Sequence, residues 1–140
     1  MKKFLTFTVM LVSTVCFSQS LVYMPDDVFE NFAESNGWGD GVANNDYVDS
    51  ASIAQVQILN LGNSPISDFT GLEGFTSLTD FYCGNVLNQG IAPQSLSLLP
   101  FSNQLTTFNS TGNPGLYCIE VADTAFANSN VSSGSWLIDP

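Results

Sequence analysis

Carboxylates are the side chains of this sequence that could do chemistry. The 140 residues include 13 Asp and Glu, only two basic residues, Lys2 and Lys3, and no histidine. A serine or cysteine nucleophile would therefore lack a histidine base, and zinc would lack a histidine ligand. Two carboxylates could still hydrolyse a glycosidic bond. We expect no enzymatic activity, because a short chain built from small repeats leaves little room for a sugar-binding cleft.

Metal binding is the second use that carboxylates could have. The turn-rich segment 37–53 contains Asp40, Asp46 and Asp49, with Asn44 and Asn45 between them. Oxygen ligands at this density could hold Ca²⁺. Their spacing is not that of an EF-hand loop, and Asx turns explain the same residues without a metal. We therefore predict no cofactor and keep the three aspartates as the candidates for Ca²⁺.

The first 18 residues are typical of a signal peptide. Lys2 and Lys3 precede an apolar run that ends at Phe17, which has signal-peptide length and is short for a membrane-spanning helix. Cleavage after Ser18 would place Cys16 and Ser18 at the small-residue positions of the cleavage site, and cleavage after Ser20 is also possible. The alternative is a buried N-terminal helix. The sequence predicts a secreted or cell-surface protein that is not inserted in the membrane after cleavage.

Signal cleavage would remove both basic residues and leave all 13 acids. A surface of this kind repels nucleic acid and anionic membranes. Cationic partners or divalent ions suit it better. Like charge could equally serve only to keep a secreted protein soluble.

An N-terminal cap is predicted over residues 19–55, with one helix over about 27–36. Asp27 can cap the helix, with Glu30 three residues later as in a capping box. Gly37 is a suitable stop. The residues that share an apolar face are Val28, Phe29, Phe32 and Ala33.

One short repeated phrase, a motif of apolar residues spaced by three and then two positions, recurs along the rest of the chain at intervals of 22 and 27 residues. Each copy predicts one short strand whose apolar side chains point inward and stack on the next copy, because no single copy can bury them alone. A further strand starts soon after the third copy. The inward positions are Val56, Leu59 and Leu61, then Leu78, Phe81 and Cys83, then Leu105, Phe108 and Ser110, and finally Leu116, Ile119 and Val121.

The segments "PDDVFENF", "VQILNLGNSPISDFTGLEGFTSLTDFYC" and "LTTFNSTGNPGLYCIEV" carry a resemblance to a known family. With them the chain resembles secreted bacterial leucine-rich-repeat proteins whose coils are similar to those of internalins. The resemblance implies an α/β solenoid: a short leucine-rich-repeat domain with an N-terminal capping helix and parallel strands on a concave face. Repeats would span 56–121, followed by an irregular C-terminal cap or truncated tail over 122–140.

Two cysteines follow the signal peptide, and we predict that both are free thiols. Cys83 occupies an inward position, whereas Cys118 lies between Leu116 and Ile119 and faces outward. Side chains on opposite faces of neighbouring strands rarely reach disulfide geometry. The resemblance implies that the usual partner of Cys118 would lie beyond residue 140.

The outward strand positions are the predicted binding surface. We expect a monomeric, non-enzymatic extracellular protein-interaction or adhesion module that binds an unidentified protein or glycan and no nucleic acid. The alternative is a structural or capping fragment of a larger repeat protein without its own ligand, since Thr, Asn and Tyr suit any exposed strand. Ile58, Thr106 and Cys118 also face outward in this frame. The binding candidates are Gln57, Asn60, Thr79, Asp80, Tyr82, Thr107, Asn109, Tyr117 and Glu120.

Overall fold

The computed structural model describes residues 19–84, 95–101 and 103–139, so the predicted signal peptide lies outside the described residues. These ranges contain eight short strands, three helices and a 3₁₀ turn at Leu72–Gly74. None of these helices has the length and apolar character needed to cross a membrane. The strands are β1 (Leu21–Tyr23), β2 (Tyr47–Asp49), β3 (Ile58–Asn60), β4 (Asp80–Tyr82), β5 (Ser95–Ser97), β6 (Thr107–Asn109), β7 (Cys118–Glu120) and β8 (Trp136–Leu137), and the helices are α1 (Asp27–Ser35), α2 (Ser50–Ile53) and α3 (Thr124–Ser133).

The largest sheet has four parallel strands in the order β3, β4, β6, β8. Its register aligns the middle residues Leu59, Phe81 and Phe108, and Trp136 follows on β8. All four side chains are buried. Because neighbouring residues of a strand point to opposite sides, the flanking residues form the other face of the sheet.

The expected leucine-rich-repeat solenoid is wrong. The described residues form a small α/β domain with three helices and separate small sheets of two to four strands. Strand β7, expected beside β6, pairs instead with β5 in a parallel sheet of its own. Only residues 110–117 connect β6 to β7, which is short for a crossover between adjacent parallel strands. The longer connection through α3 allows β8 to pair with β6 in the position that was expected for β7.

The expected irregular C-terminal segment is also corrected, because residues 124–133 form helix α3. Asp123 caps its N-terminus by accepting hydrogen bonds from two backbone N–H groups, and Gly134 ends it with a φ of 81°. That left-handed conformation suits glycine, which has no Cβ. Helix α3 has no fully buried side chain. Most of its residues are polar, so its sequence lacks the apolar periodicity from which a helix is predicted.

The N-terminal segment is a helix packed on a two-stranded antiparallel ribbon of β1 and β2. The N-cap of α1 is Asp26 and not Asp27: its Oδ1 accepts hydrogen bonds from the N–H groups of Val28 and Phe29. Glu30 does not complete a capping box. It reaches the chain just before β2 instead, as described below.

Candidate functional site

The outward side of the four-stranded sheet brings together side chains that are far apart in sequence; we call it the sheet face. Its first row crosses β3, β4 and β6, and its second row also reaches β8. The first row is Ile58, Asp80 and Thr107, and the second row is Asn60, Tyr82, Asn109 and Leu137.

Large apolar side chains lie at both edges of the sheet face. Ile58 on β3 is 61% exposed, and Leu137 on β8 is 48% exposed. An open groove of about 460 Å³ adjoins the β3 edge, and Trp38 and Val56 line it together with Ile58. Single exposed apolar residues are common on protein surfaces. Here the two lie at opposite edges of one polar sheet surface.

Asp80 is the carboxylate of the sheet face, and threonine hydroxyls hold it in place. The Thr79 hydroxyl lies 2.7 Å from its Oδ2. Hydrogen bonds from Thr79 and then Thr107 lower the pKa of Asp80 below its ordinary value of 3.8, although burial acts in the opposite direction. The group is therefore a fixed negative charge at neutral pH.

Two asparagines of the sheet face also have a structural role. The side-chain oxygen of Asn60 accepts a hydrogen bond from the Gly62 N–H at 3.0 Å. The same atom of Asn109 accepts from the N–H and hydroxyl of Thr111, at 3.0 and 2.8 Å. Both are Asx turns that direct the chain away from the strand. Their oxygen atoms shape the loops at the rim of the sheet face.

Gln57, Thr79 and Thr106 lie just before their strands and link neighbouring segments. The Thr79 hydroxyl can donate to the Gln57 carbonyl at 3.1 Å, and the Thr106 hydroxyl donates to the Thr79 carbonyl at 3.1 Å. The corresponding N–H groups of Thr79 and Thr106 donate to the same two carbonyls. These residues therefore fix the register of the rows beside them.

Tyr117 and Glu120 are not brought together with the other predicted binding residues. Glu120 belongs to β7, which pairs with β5, and Tyr117 directly precedes it with 78% of its surface exposed. The repeated spacing of apolar residues predicted one continuous surface, but β7 belongs to a different sheet. Both cysteines of the described ranges are free, with Cys83 buried and Cys118 exposed, which confirms that expectation.

The three aspartates proposed for Ca²⁺ do not form one cluster. Asp40 accepts hydrogen bonds from the Val42 N–H and the Asn45 side chain, both at 2.9 Å. Asp49 caps α2 by accepting from the N–H and hydroxyl of Ser52, at 3.0 and 2.6 Å. The hydroxyl bond from Ser52 lowers the pKa of Asp49. Turn and cap formation, the alternative to metal binding, describes both residues.

A different carboxylate group forms where Asp46 meets α1. Oxygen atoms of Asp27, Glu30 and Asp46 lie within 4.8 Å of one another. The buried Glu30 already accepts hydrogen bonds from the N–H groups of Asn45 and Asp46, both at 3.0 Å. Sequence reasoning missed this group because Asp46 approaches the helix only in the folded chain. These two hydrogen bonds explain the buried Glu30 carboxylate without a metal ion, so we assign no metal site here.

Ile58 and Leu137 are the residues of the sheet face that the predicted binding set lacked. Ile58 was predicted to face outward, and its apolar type at an exposed strand position was the available signal. Leu137 had no such signal, because the repeated phrase does not extend to β8.

Neither a protein-family model nor a curated protein matches this chain.

Proposed function

We propose that this protein is a non-enzymatic extracellular interaction module that binds a protein partner on the sheet face. The observation that supports it best is the pair of exposed apolar side chains, Ile58 and Leu137, at opposite edges of a polar surface. Interaction sites combine apolar contact area with oriented polar groups, and Asp80 and Tyr82 supply the latter between the two edges.

The proposal includes export from the cytoplasm and a monomeric state. Lys2, Lys3 and the apolar run after them support export. The excess of acidic residues opposes self-association, since copies of the chain repel one another. Sequencing the N-terminus of the protein recovered from the culture medium or cell surface tests the export step. A start at Gln19 or at Leu21 is expected; an intact Met1 would contradict it.

The binding proposal is tested with variants of the two apolar edge residues. Ile58→Ser and Leu137→Ser should each fold, because both side chains are exposed, and should each lose the bound partner. Val42→Ser is the matched control: Val42 is 55% exposed but lies in the segment between α1 and β2, outside the sheet face. The assay is quantitative mass spectrometry of extracellular proteins retained by the immobilised wild-type protein and each variant, after circular dichroism confirms folding.

The expected result is a protein retained by the wild type and by Val42→Ser, and lost from both edge variants. Equal retention by all four proteins would contradict binding on the sheet face. The competing function is a structural segment without a ligand, and it predicts no protein retained above the level of an unrelated control. A retained species that resists protease and is released by glycosidase would replace the protein partner with a glycan.

A further inference from the structure

We propose that the sheet face receives an arginine or lysine side chain of the partner between Asp80 and Tyr82. This inference rests on the proposed function and names the chemistry of its central contact.

The Asp80 carboxylate is oriented before any partner arrives. The Thr79 hydroxyl lies 2.7 Å from its Oδ2 as a donor, and the hydroxyl of Thr107 on the adjacent strand β6 is a second donor to it. Thr107 is also its partner across the strands. A charge held in one position loses little side-chain freedom on binding, which favours a specific ion pair.

Tyr82 is two residues further along β4, on the same side of the sheet. It is partly exposed and lies between Asn60 and Asn109 in its row. An aromatic face attracts a cation near it, and arginine also stacks flat on such a ring. A carboxylate and an aromatic ring at this spacing therefore suit a guanidinium or ammonium group together better than either does alone.

The chain itself offers no cation to Asp80. Residues 19–140 contain no Lys, Arg or His, so no side chain of the described ranges can neutralise it. Several other carboxylates accept hydrogen bonds from backbone N–H groups at caps and turns, whereas Asp80 accepts from threonine hydroxyls. These backbone-bound carboxylates include Asp26, Asp40, Asp49, Asp123 and Asp139. Charge complementarity therefore identifies a basic side chain as the occupant.

The probe is a short acetylated peptide that alternates arginine and threonine, titrated into the isotope-labelled full-length protein and followed by amide chemical shifts. The matched probe has citrulline in place of arginine, which keeps the shape and removes the charge. We expect the arginine peptide to shift amides of 79–82 and 106–109 in a saturable way, and the citrulline peptide to leave them unchanged. Asp80→Asn should weaken binding about tenfold, and Tyr82→Ala several-fold.

Asp68→Asn is the control variant. Asp68 is an exposed carboxylate whose Oδ1 accepts a hydrogen bond from the Thr70 N–H, and it lies outside the sheet face. Its replacement should change peptide affinity by less than about twofold, as for a distant screened charge. Asp80→Glu serves as a second variant, because it keeps the charge and displaces it from the threonine hydroxyls. We expect it to bind more weakly than wild type.

Equal affinities of Asp80→Asn and Asp68→Asn, or equal binding of the citrulline peptide, would overturn the inference. The proposed function fails differently. If Ile58→Ser and Leu137→Ser lose the partner while Asp80→Asn retains it, the sheet face binds a protein without a basic contact at Asp80. If all the variants retain the partner, the proposed function itself is wrong.

Discussion

Carboxylates in this chain are mostly partners of the backbone, because no basic side chain follows Lys3. Asp26 is the most heavily used of them. Its Oδ1 accepts from two N–H groups at the start of α1, and its Oδ2 accepts from the N–H and hydroxyl of Ser67 and from the Asp68 N–H. One buried side chain thus joins helix α1 to a loop about forty residues later.

Replacing Asp26 with Asn should destabilise the fold. The amide nitrogen of Asn cannot accept hydrogen bonds, so either the α1 pair or the donors of Ser67 and Asp68 would lose their acceptor. We expect the free energy of unfolding in urea to fall by about 2–4 kcal/mol. Asp68→Asn, at an exposed turn, should change it by less than about 0.5 kcal/mol. Similar losses in both variants would contradict the role assigned to Asp26.

The same residue should make the fold sensitive to acid. Burial raises the pKa of Asp26, but hydrogen bonds from Ser67, Phe29 and Asp68 outweigh burial and keep the pKa below 3.8. The unfolded chain therefore binds this proton first as the pH falls, and the stabilisation present above about pH 4 is lost as the pH drops through the folded pKa. Urea unfolding at a series of pH values should show a shallower loss for Asp26→Asn than for wild type. Parallel curves would contradict this.

The two described cysteines should differ in reactivity. Burial raises the pKa of the Cys83 thiol to about 12, so it is neutral and shielded, whereas Cys118 is exposed. Iodoacetamide at pH 8 should modify Cys118 in the native protein and Cys83 only after unfolding in urea. Peptide mapping by mass spectrometry checks each site separately. Modification of both cysteines at one rate in the native protein would contradict the buried position of Cys83.

The strands show what an apolar pattern can and cannot predict. Every inward position of the three repeated phrases is buried, from Val56 to Ser110. Burial at these positions follows from periodicity, which is local information. The fourth set, Leu116, Ile119 and Val121, has the same spacing but is only partly buried, and the short connection from β6 sends β7 to pair with β5. The length of each connection, rather than the pattern of each strand, decided which residues share the sheet face.

Helix α3 was missed for a related reason, and its stability should depend on its ends. It buries no side chain completely, and Phe126 contacts Trp136 at a ring distance of 5.9 Å. Asp123 accepts hydrogen bonds from the N–H groups of Ala125 and Phe126, at 2.8 and 3.0 Å. Little else in the sequence specifies where this helix begins.

Asp123→Ala should therefore destabilise α3 by about 0.5–2 kcal/mol, because two backbone donors lose their cap. Amide hydrogen exchange should accelerate over 124–133, while exchange in β3 and β4 stays unchanged. Asn128→Ala, at an exposed position inside the helix, is the control and should not accelerate exchange. A uniform acceleration over all described residues would instead show that α3 unfolds only with the whole domain.

Aromatic contacts connect helix α1 to helix α3 through one apolar core within the described residues. Phe29 of α1 stacks on Phe75 at a ring-centroid distance of 5.9 Å and contacts Phe69, which in turn packs edge-on against Phe81 of β4 at 6.1 Å. The series continues through β6 and β8 to α3, and all of these rings belong to or pack against one apolar cluster. The contacts that extend it are Phe81–Phe108 at 5.8 Å, Phe108–Trp136 at 5.6 Å and Phe126–Trp136 at 5.9 Å.

That apolar core must stabilise a chain whose charges only repel one another after Lys3. In proteins with many ion pairs, salt screens attraction and repulsion together; here, residues 19–140 offer no attraction between side-chain charges to screen. Raising NaCl from about 0.02 M to about 0.5 M should therefore stabilise the fold by about 1 kcal/mol, or about 3–5 °C in Tm. KCl at equal ionic strength is the control and should give the same shift, since screening does not distinguish the two cations. A Tm that falls with salt in differential scanning calorimetry would contradict this, and would show that salt weakens the bonds between carboxylates and backbone N–H groups more than it screens the net repulsion.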